Sequence, residues 1–464
     1  MRRKLAIQVV ILVTVLAASG WADSPSQVLG ERFELPNGLV WLFSSQRSLP
    51  LVSVNLVVKG GVLRDPPQKA GLANLTAVML PQGSKSRSAV QIAQELDFLG
   101  AKLSSSGGDD STSLSLTVLK KDLGPGLELF KDILYHPAFA PAELSRKLSQ
   151  LKASFQNDED DPGTVASRAF HRHLFGPHPY GHPPKGTLEG LAAIKREDLV
   201  EFHRTYYRPN NAILTLVGDL SREEAEEWVT KTFGSWQPGP IPPLKLPAPP
   251  PLKGKTPLLI DKNITQANIV WGHLGISRNN PDFYALQLLN YLLGGGGFSS
   301  RLMTRVREKQ GLAYAVGSSF DAGLEPGAFV ISLETKNENA REAVNQIIQE
   351  VERLRRQAVS PAELEDAKSY FIGSFPAKMD SISKRAGLLA YVEFYGLGLD
   401  YPGRYPTLIR NLTPEDLRKA AEKYLHPDNY LLVVVGRKTE VPNLKALATA
   451  PEDEEKKHEA PSSP

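Results

Sequence analysis

Alternating and helically spaced apolar positions divide most of the chain into short elements. Arg32 to Phe43 (RFELPNGLVWLF) has the pattern of a β-hairpin turning at Asn37-Gly38. Leu51 to Val58 is a β-branched strand, and Ser111 to Leu119 alternates like a half-exposed one. Gly71 to Leu80, Ala89 to Leu99, Leu123 to Leu134, Pro141 to Phe155 and Glu197 to Tyr206 carry helical apolar stripes. Ala212 to Val217 reads as a strand ending at Gly218. Pro238 to Pro251 (PGPIPPLKLPAPPP) can join neither a helix nor a central strand, so it is expected to be a stiff extended linker.

One stretch, Gly294 to Phe320, breaks these patterns. It opens on Gly294, Gly295, Gly296 and Gly297, a run no regular element tolerates well. Ser299 and Ser300 then offer an N-cap, Leu302, Met303 and Val306 form a helical stripe, and Gly311 reads as the stop. Ala313 to Phe320 reads as a strand. Arg307 thus falls in the last helical turn and Tyr314 at the strand start, where a sharp turn brings guanidinium and phenol together. Such a pair suits a developing oxyanion. The plain alternative is a surface arginine and a half-buried tyrosine.

The chain repeats itself. Glu197-Asp198-Leu199, Tyr206, Pro209, Asn211, Leu214 and Val217-Gly218 recur 218 positions later as Glu415-Asp416-Leu417, Tyr424, Pro427, Asn429, Leu432 and Val435-Gly436. Pro141-Ala142-Glu143-Leu144 recurs as Pro361-Ala362-Glu363-Leu364. This period is far longer than that of solenoid repeats. The expected organisation is therefore two copies of one α+β domain, residues 30–236 and 256–440, each an antiparallel sheet covered by helices and joined by a linker at 237–255. Residues 441–464 are polar and Pro/Ser-rich and are expected to be disordered.

Composition removes several functions. A net charge of +3 without a basic stripe argues against nucleic acid as a partner. There are no cysteines, which excludes thiolate metal sites and cysteine nucleophiles. Residues 1–22 have a basic start at Arg2-Arg3-Lys4, an apolar Leu5 to Ala18 and small residues at Gly20 and Ala22, the pattern of a secretory signal peptide. An uncleaved anchor is the competing reading. With the signal cleaved, no stable membrane span is expected, and the protein is expected to be exported, periplasmic or secreted.

Histidines and clustered carboxylates give little chemistry. His171 and His173 are two apart on an expected helix and point to different faces. His178 and His182 lie in a Pro/Gly loop, while Asp109, Asp110 and Asp158 to Asp161 suit turns and caps better than an acid/base pair.

Five segments carry a family resemblance: GGVLRDPPQKAGLANLTAVML from Gly60, PHPYGHPPKGTLEGL from Pro177, YYRPNNAILTLVGDL from Tyr206, YLLGGGGFSSRL and VREKQGLAYAVGSSF. Together they resemble peptidase family M16, the zinc peptidases that include pitrilysin, insulin-degrading enzyme and the mitochondrial processing peptidase. The resemblance covers about Arg32 to Arg437. Active members carry H-x-x-E-H on a helix, two zinc-binding histidines on one face with a general-base glutamate, and a further glutamate ligand on a later helix. The matching positions here are Asn74, Ala77, Val78 and Ser154, so the resemblance implies that this chain binds no metal. In the second half it implies that Arg307 and Tyr314 reach a substrate at a zinc site, with Gly294 to Gly297 beside the substrate groove. Two-chain bacterial members divide these parts between subunits. The resemblance therefore implies a non-zinc subunit paired with an H-x-x-E-H homologue that carries the zinc, acting on peptides or unfolded proteins. A catalytically inactive scaffold or peptide-binding protein is the alternative, and a peptidase acting alone through an unrecognised metal site is a third reading.

Overall fold

A computed structural model describes residues 28–442; the signal-peptide reading and nearly all of the C-terminal tail lie outside them. Among the described residues eleven strands form two sheets: β1 (Glu31–Glu34), β2 (Val40–Ser45), β3 (Leu51–Val58), β4 (Lys102–Gly107), β5 (Thr112–Leu119) and β6 (Ala212–Gly218) in the first, β7 (Lys255–Asp261), β8 (Gln266–Leu274), β9 (Ala313–Ala322), β10 (Pro326–Lys336) and β11 (Tyr430–Gly436) in the second. Their orders are β1-β2-β6-β3-β5-β4 and β7-β11-β8-β10-β9. Setting β1 aside, the two orders match strand for strand, as a duplication requires. The proline-opened helix Pro141–Asp160 recurs too, as Pro361–Ser374.

The sheets are mixed, not purely antiparallel as expected. β6 inserts between β2 and β3, antiparallel to β3 but parallel to β2. β11 does the same between β7 and β8. A short link from β2 to β3 reverses the chain, so a strand returning between them must run parallel to one of the two.

Every residue of β6 and of β11 is buried. Two-sided burial explains why both read as apolar runs rather than alternations. On β6, Leu214 and Leu216 face Leu75, Phe130 and Leu199 of the first half's own helices. Ile213 and Val217 face the opposite core, which contains Ala386 and Leu389 of the helix Ile382–Phe394. That helix comes from the second half of the chain. It is fixed by Thr215 Oγ1 donating to the Ala386 carbonyl (3.1 Å) and by Arg385 donating to Ser44 Oγ (2.8 Å) and the Leu29 carbonyl (2.9 Å). The exchange is reciprocal. The helix Pro162–Phe175, capped by Asp161, lays Val165, Phe170 and Leu174 against Val270, Leu431 and Val433 of the second sheet.

His273 on β8 shows how tightly the second sheet is closed. It is 2% exposed. Its Nε2 accepts the His426 N–H (3.2 Å) and its Nδ1 lies 2.9 Å from the Leu274 carbonyl, which fixes a neutral ring donating from Nδ1. Burial, followed by the influence of His426, pushes its pKa from 6.5 down to about 3. The unfolded chain therefore binds the extra proton between these values. Stability from this residue is complete above pH 6.5 and is lost as pH falls toward 3, at about 1.4 kcal/mol per pH unit at most. Urea titrations from pH 7 to pH 4 are expected to show a shallower loss for His273→Gln than for the wild type; equal slopes would remove His273 from the acid sensitivity.

Candidate functional site

The four positions matched to zinc ligands and base are engaged in packing. Asn74 and Ala77 lie on the helix Leu72–Met79, which packs against the edge strand β4. Asn74 Oδ1 accepts the Gly107 N–H (3.1 Å) and the Ala77 carbonyl accepts Ser105 Oγ (2.7 Å). Val78 packs against the first core. Ser154 Oγ receives Lys185 Nζ at 3.1 Å, and the same ammonium pairs with Asp158 and lies 4.6 Å from the Phe155 ring centre. An amide, a methyl, an isopropyl and a hydroxyl beside a tethered ammonium do not fit a divalent cation.

A cleft of about 880 Å³ lies at the seam between the halves, lined among others by Asp109, Asp158, His171, Lys185, Asp321 and Tyr395. Asp110 is its tie. It accepts from Tyr180 OH, from Tyr395 OH (3.0 Å) and from the Leu324 N–H (2.9 Å), joining residues of both halves. Asp109 stays exposed as a residue, yet loss of bulk water around its carboxylate raises it to about 6. Asp110 and Asp321 add to this and His171 opposes it; the cleft walls rather than full burial set this value. Asp161 has the capping role expected of it, accepting from Gly163 N and Thr164 Oγ1. Among the described residues no group of three or more His, Asp or Glu is arranged to hold a metal.

The Gly294 to Phe320 stretch forms a separate place. The helix Phe283–Asn290 continues into a wider π-turn, Tyr291–Gly295, so Gly294 and Gly295 lie within a helical end rather than outside one. Gly294 is buried: a Cβ there would come within 2.6 Å of Ser318 N on β9. Gly295 alone of the four lines a cleft, about 300 Å³ in volume, with Phe283, Tyr291 and Tyr370. Gly297 is in the left-handed region (φ 61°). Ser300 opens the next helical segment, its carbonyl accepting the Thr304 N–H (3.0 Å). The turns Met303–Lys309 are also π-helical, and Gly311 (φ 62°) ends them.

This geometry brings Arg307 and Tyr314 together. The Arg307 Cζ lies 5.5 Å from the Tyr314 ring centre. Tyr314 is 74% exposed rather than half-buried, because it opens an edge strand. Neighbouring arginines are committed: Arg301 forks onto Glu363 (both contacts 2.9 Å), and Arg305 reaches Gln346 and Glu350. Partial removal from water would raise Glu363, but Arg301 and Ser360 outweigh it and hold it at about 2. Arg307 has no carboxylate within reach among the described residues; its one side-chain contact of hydrogen-bond type is the Met303 sulfur at 4.0 Å. A free fork beside an exposed phenol can donate to an acceptor oxygen from outside the chain. Sequence reasoning missed Phe298, whose ring centre lies 5.1 Å from the same Arg307 carbon.

Two duplicated α+β halves with exchanged helices, no ligand set at the four matched positions of one and a guanidinium–phenol pair in the other fit the inactive type of metallopeptidase that the sequence resembles. The family model described as "Insulinase (Peptidase family M16)" matches residues 41–187, and "Peptidase M16 inactive domain" matches residues 193–371. A solved structure of a peptidase M16 inactive domain from Pseudomonas fluorescens is 30% identical, covers 89% of this chain and 100% of its own, and superposes with a TM-score of 0.83. The chain belongs to peptidase family M16. It is also 28% identical to an "Uncharacterized zinc protease" of Rickettsia bellii, over 76% of this chain and 84% of that protein. It is 24% identical to a "Non-peptidase homolog YmxG" of Helicobacter pylori, over 86% and 91%. Among the described residues no helix is long and apolar enough to cross a membrane.

Proposed function

We propose that this chain is the exported, non-zinc subunit of a heterodimeric zinc metalloendopeptidase. Arg307 and Tyr314 donate to the carbonyl oxygen of a peptide held at the partner's zinc site, and the glycine-rich turn beside them borders the peptide. The observation that carries this reading is the uncommitted Arg307 fork, 5.5 Å from an exposed phenol, in a chain whose own ligand positions hold Asn74, Ala77, Val78 and Ser154. Arg307 is half-buried, and its neighbours Arg301 and Arg305 have both found carboxylates while, among the described residues, it has none.

Purified alone, the chain is expected to carry no stoichiometric zinc by elemental analysis and to cleave no unfolded peptide. Mixed with an H-x-x-E-H homologue from the same source, it is expected to co-elute and to yield chelator-sensitive cleavage. Strong cleavage by the chain alone, indifferent to chelator, would sink the proposal. The seam cleft favours a second reading, a peptide-binding protein without catalysis, since it is lined by residues apart from Arg307 and Tyr314. That reading predicts saturable binding of an unfolded peptide to the isolated chain and no rate gain in the mixture.

A further inference from the structure

Phe298 is the residue of this site with no role in the packing of the fold. It follows the left-handed Gly297 and is 70% exposed. An aromatic ring left in water on a turn forfeits the burial that normally keeps phenylalanine inside. Its contact is Arg307: the guanidinium carbon lies 5.1 Å from the Phe298 ring centre and 5.5 Å from that of Tyr314, both within cation–π range. Among the described residues Arg307 is therefore held by two ring faces and by no carboxylate. A carboxylate would occupy the fork's donors and neutralise it, whereas a ring face restrains the plane and leaves its N–H edge available. Restraint matters because a long side chain held by nothing loses rotamer freedom each time it engages an acceptor.

Resting on the reading of this chain as a non-zinc subunit, we propose that Phe298 is a positioning residue for Arg307. Its ring holds the guanidinium beside the Tyr314 phenol, so that both donors meet one peptide carbonyl oxygen as a preformed unit. The role is indirect, as Phe298 offers no donor of its own.

Two measurements test this. The first needs no peptidase activity: in the isolated chain with ¹⁵N-labelled arginine, the Arg307 Nε–H and Hδ signals are expected to carry ring-current shifts. These shifts should diminish in Phe298→Ala and persist in Phe298→Trp. An Arg307 signal in the wild type at the position of free arginine would overturn the proposal whatever the chain's function. The second uses the reconstituted pair. Phe298→Ala is expected to lower kcat about two- to fivefold with KM little changed, the order one exposed cation–π contact supplies. Phe298→Trp should restore most of it, and Phe298→Ala should cost nothing further when combined with Arg307→Ala. An equal loss in the Arg307→Ala background would show that Phe298 acts independently and overturn the proposal. If the wild-type mixture is inactive, the functional reading falls and the NMR measurement alone decides the placement of Arg307.

Discussion

Arg307→Ala is expected to lower the kcat of the reconstituted pair about 10²-fold, the loss that accompanies removal of one oxyanion donor. Tyr314→Phe should act in the same direction and by a similar order, since it deletes only the phenolic O–H. The effect should fall on kcat more than on KM, because the hydrogen bonds strengthen as charge builds on the carbonyl oxygen. Arg307→Lys separates charge from geometry: lysine keeps the charge but has neither the planar fork nor its stacking on Phe298 and Tyr314, so it should recover only part of the rate. Folding is not an alternative cause, since Tyr314 is 74% exposed and Arg307 holds no ion pair among the described residues. Thermal melts of all three variants should overlay the wild type. Steady-state kinetics on a quenched fluorescent peptide decide the matter, and unchanged rates would return both residues to the surface.

Local features of this fold were legible because local rules govern them. The hairpin at Asn37-Gly38, the helix opened by Pro141 and the strand β6 all follow from short patterns, and the 218-residue offset exposed the duplication. Three features were not. β4 reads KLSSSG, an edge strand with one face in water and too few apolar positions to show a period. The π-turns at 291–295 and 303–309 are too short for apolar spacing to tell them from α-helix. The helix exchange is invisible because an apolar stripe shows that a helix must be covered and never by which sheet. The site divides in the same way. Arg307 and Tyr314 were found seven residues apart across one turn. Phe298 was missed because nothing in a nine-residue separation interrupted by a cap shows that its ring turns back onto the guanidinium. Asp110 and Tyr395, 285 residues apart, meet only through the seam.

The exchange also determines how the chain comes apart. Phe170 belongs by sequence to the first half, yet it is fully buried against the second sheet, together with Val270, Leu431 and Val433. It is set so close that a Cβ on Gly272 would stand 2.9 Å from its ring. Phe170→Ala empties that space and is expected to cost about 3–5 kcal/mol. The second sheet loses its cover on this face, and the helix it loosens is the one reaching across from the first half. Both sheets should therefore report the same loss. Trp41 on β2 and Trp271 on β8 are buried, one in each sheet, and ¹⁹F NMR after fluorotryptophan labelling can follow them separately in urea. In the wild type their signals should disappear at one midpoint. In Phe170→Ala both midpoints should fall together, because helices exchanged in both directions leave neither sheet a closed core of its own. A Trp271 midpoint that stays at the wild-type value would show that the helix merely rests on the second sheet. A fall confined to Trp271 would show that the halves unfold independently despite the exchange.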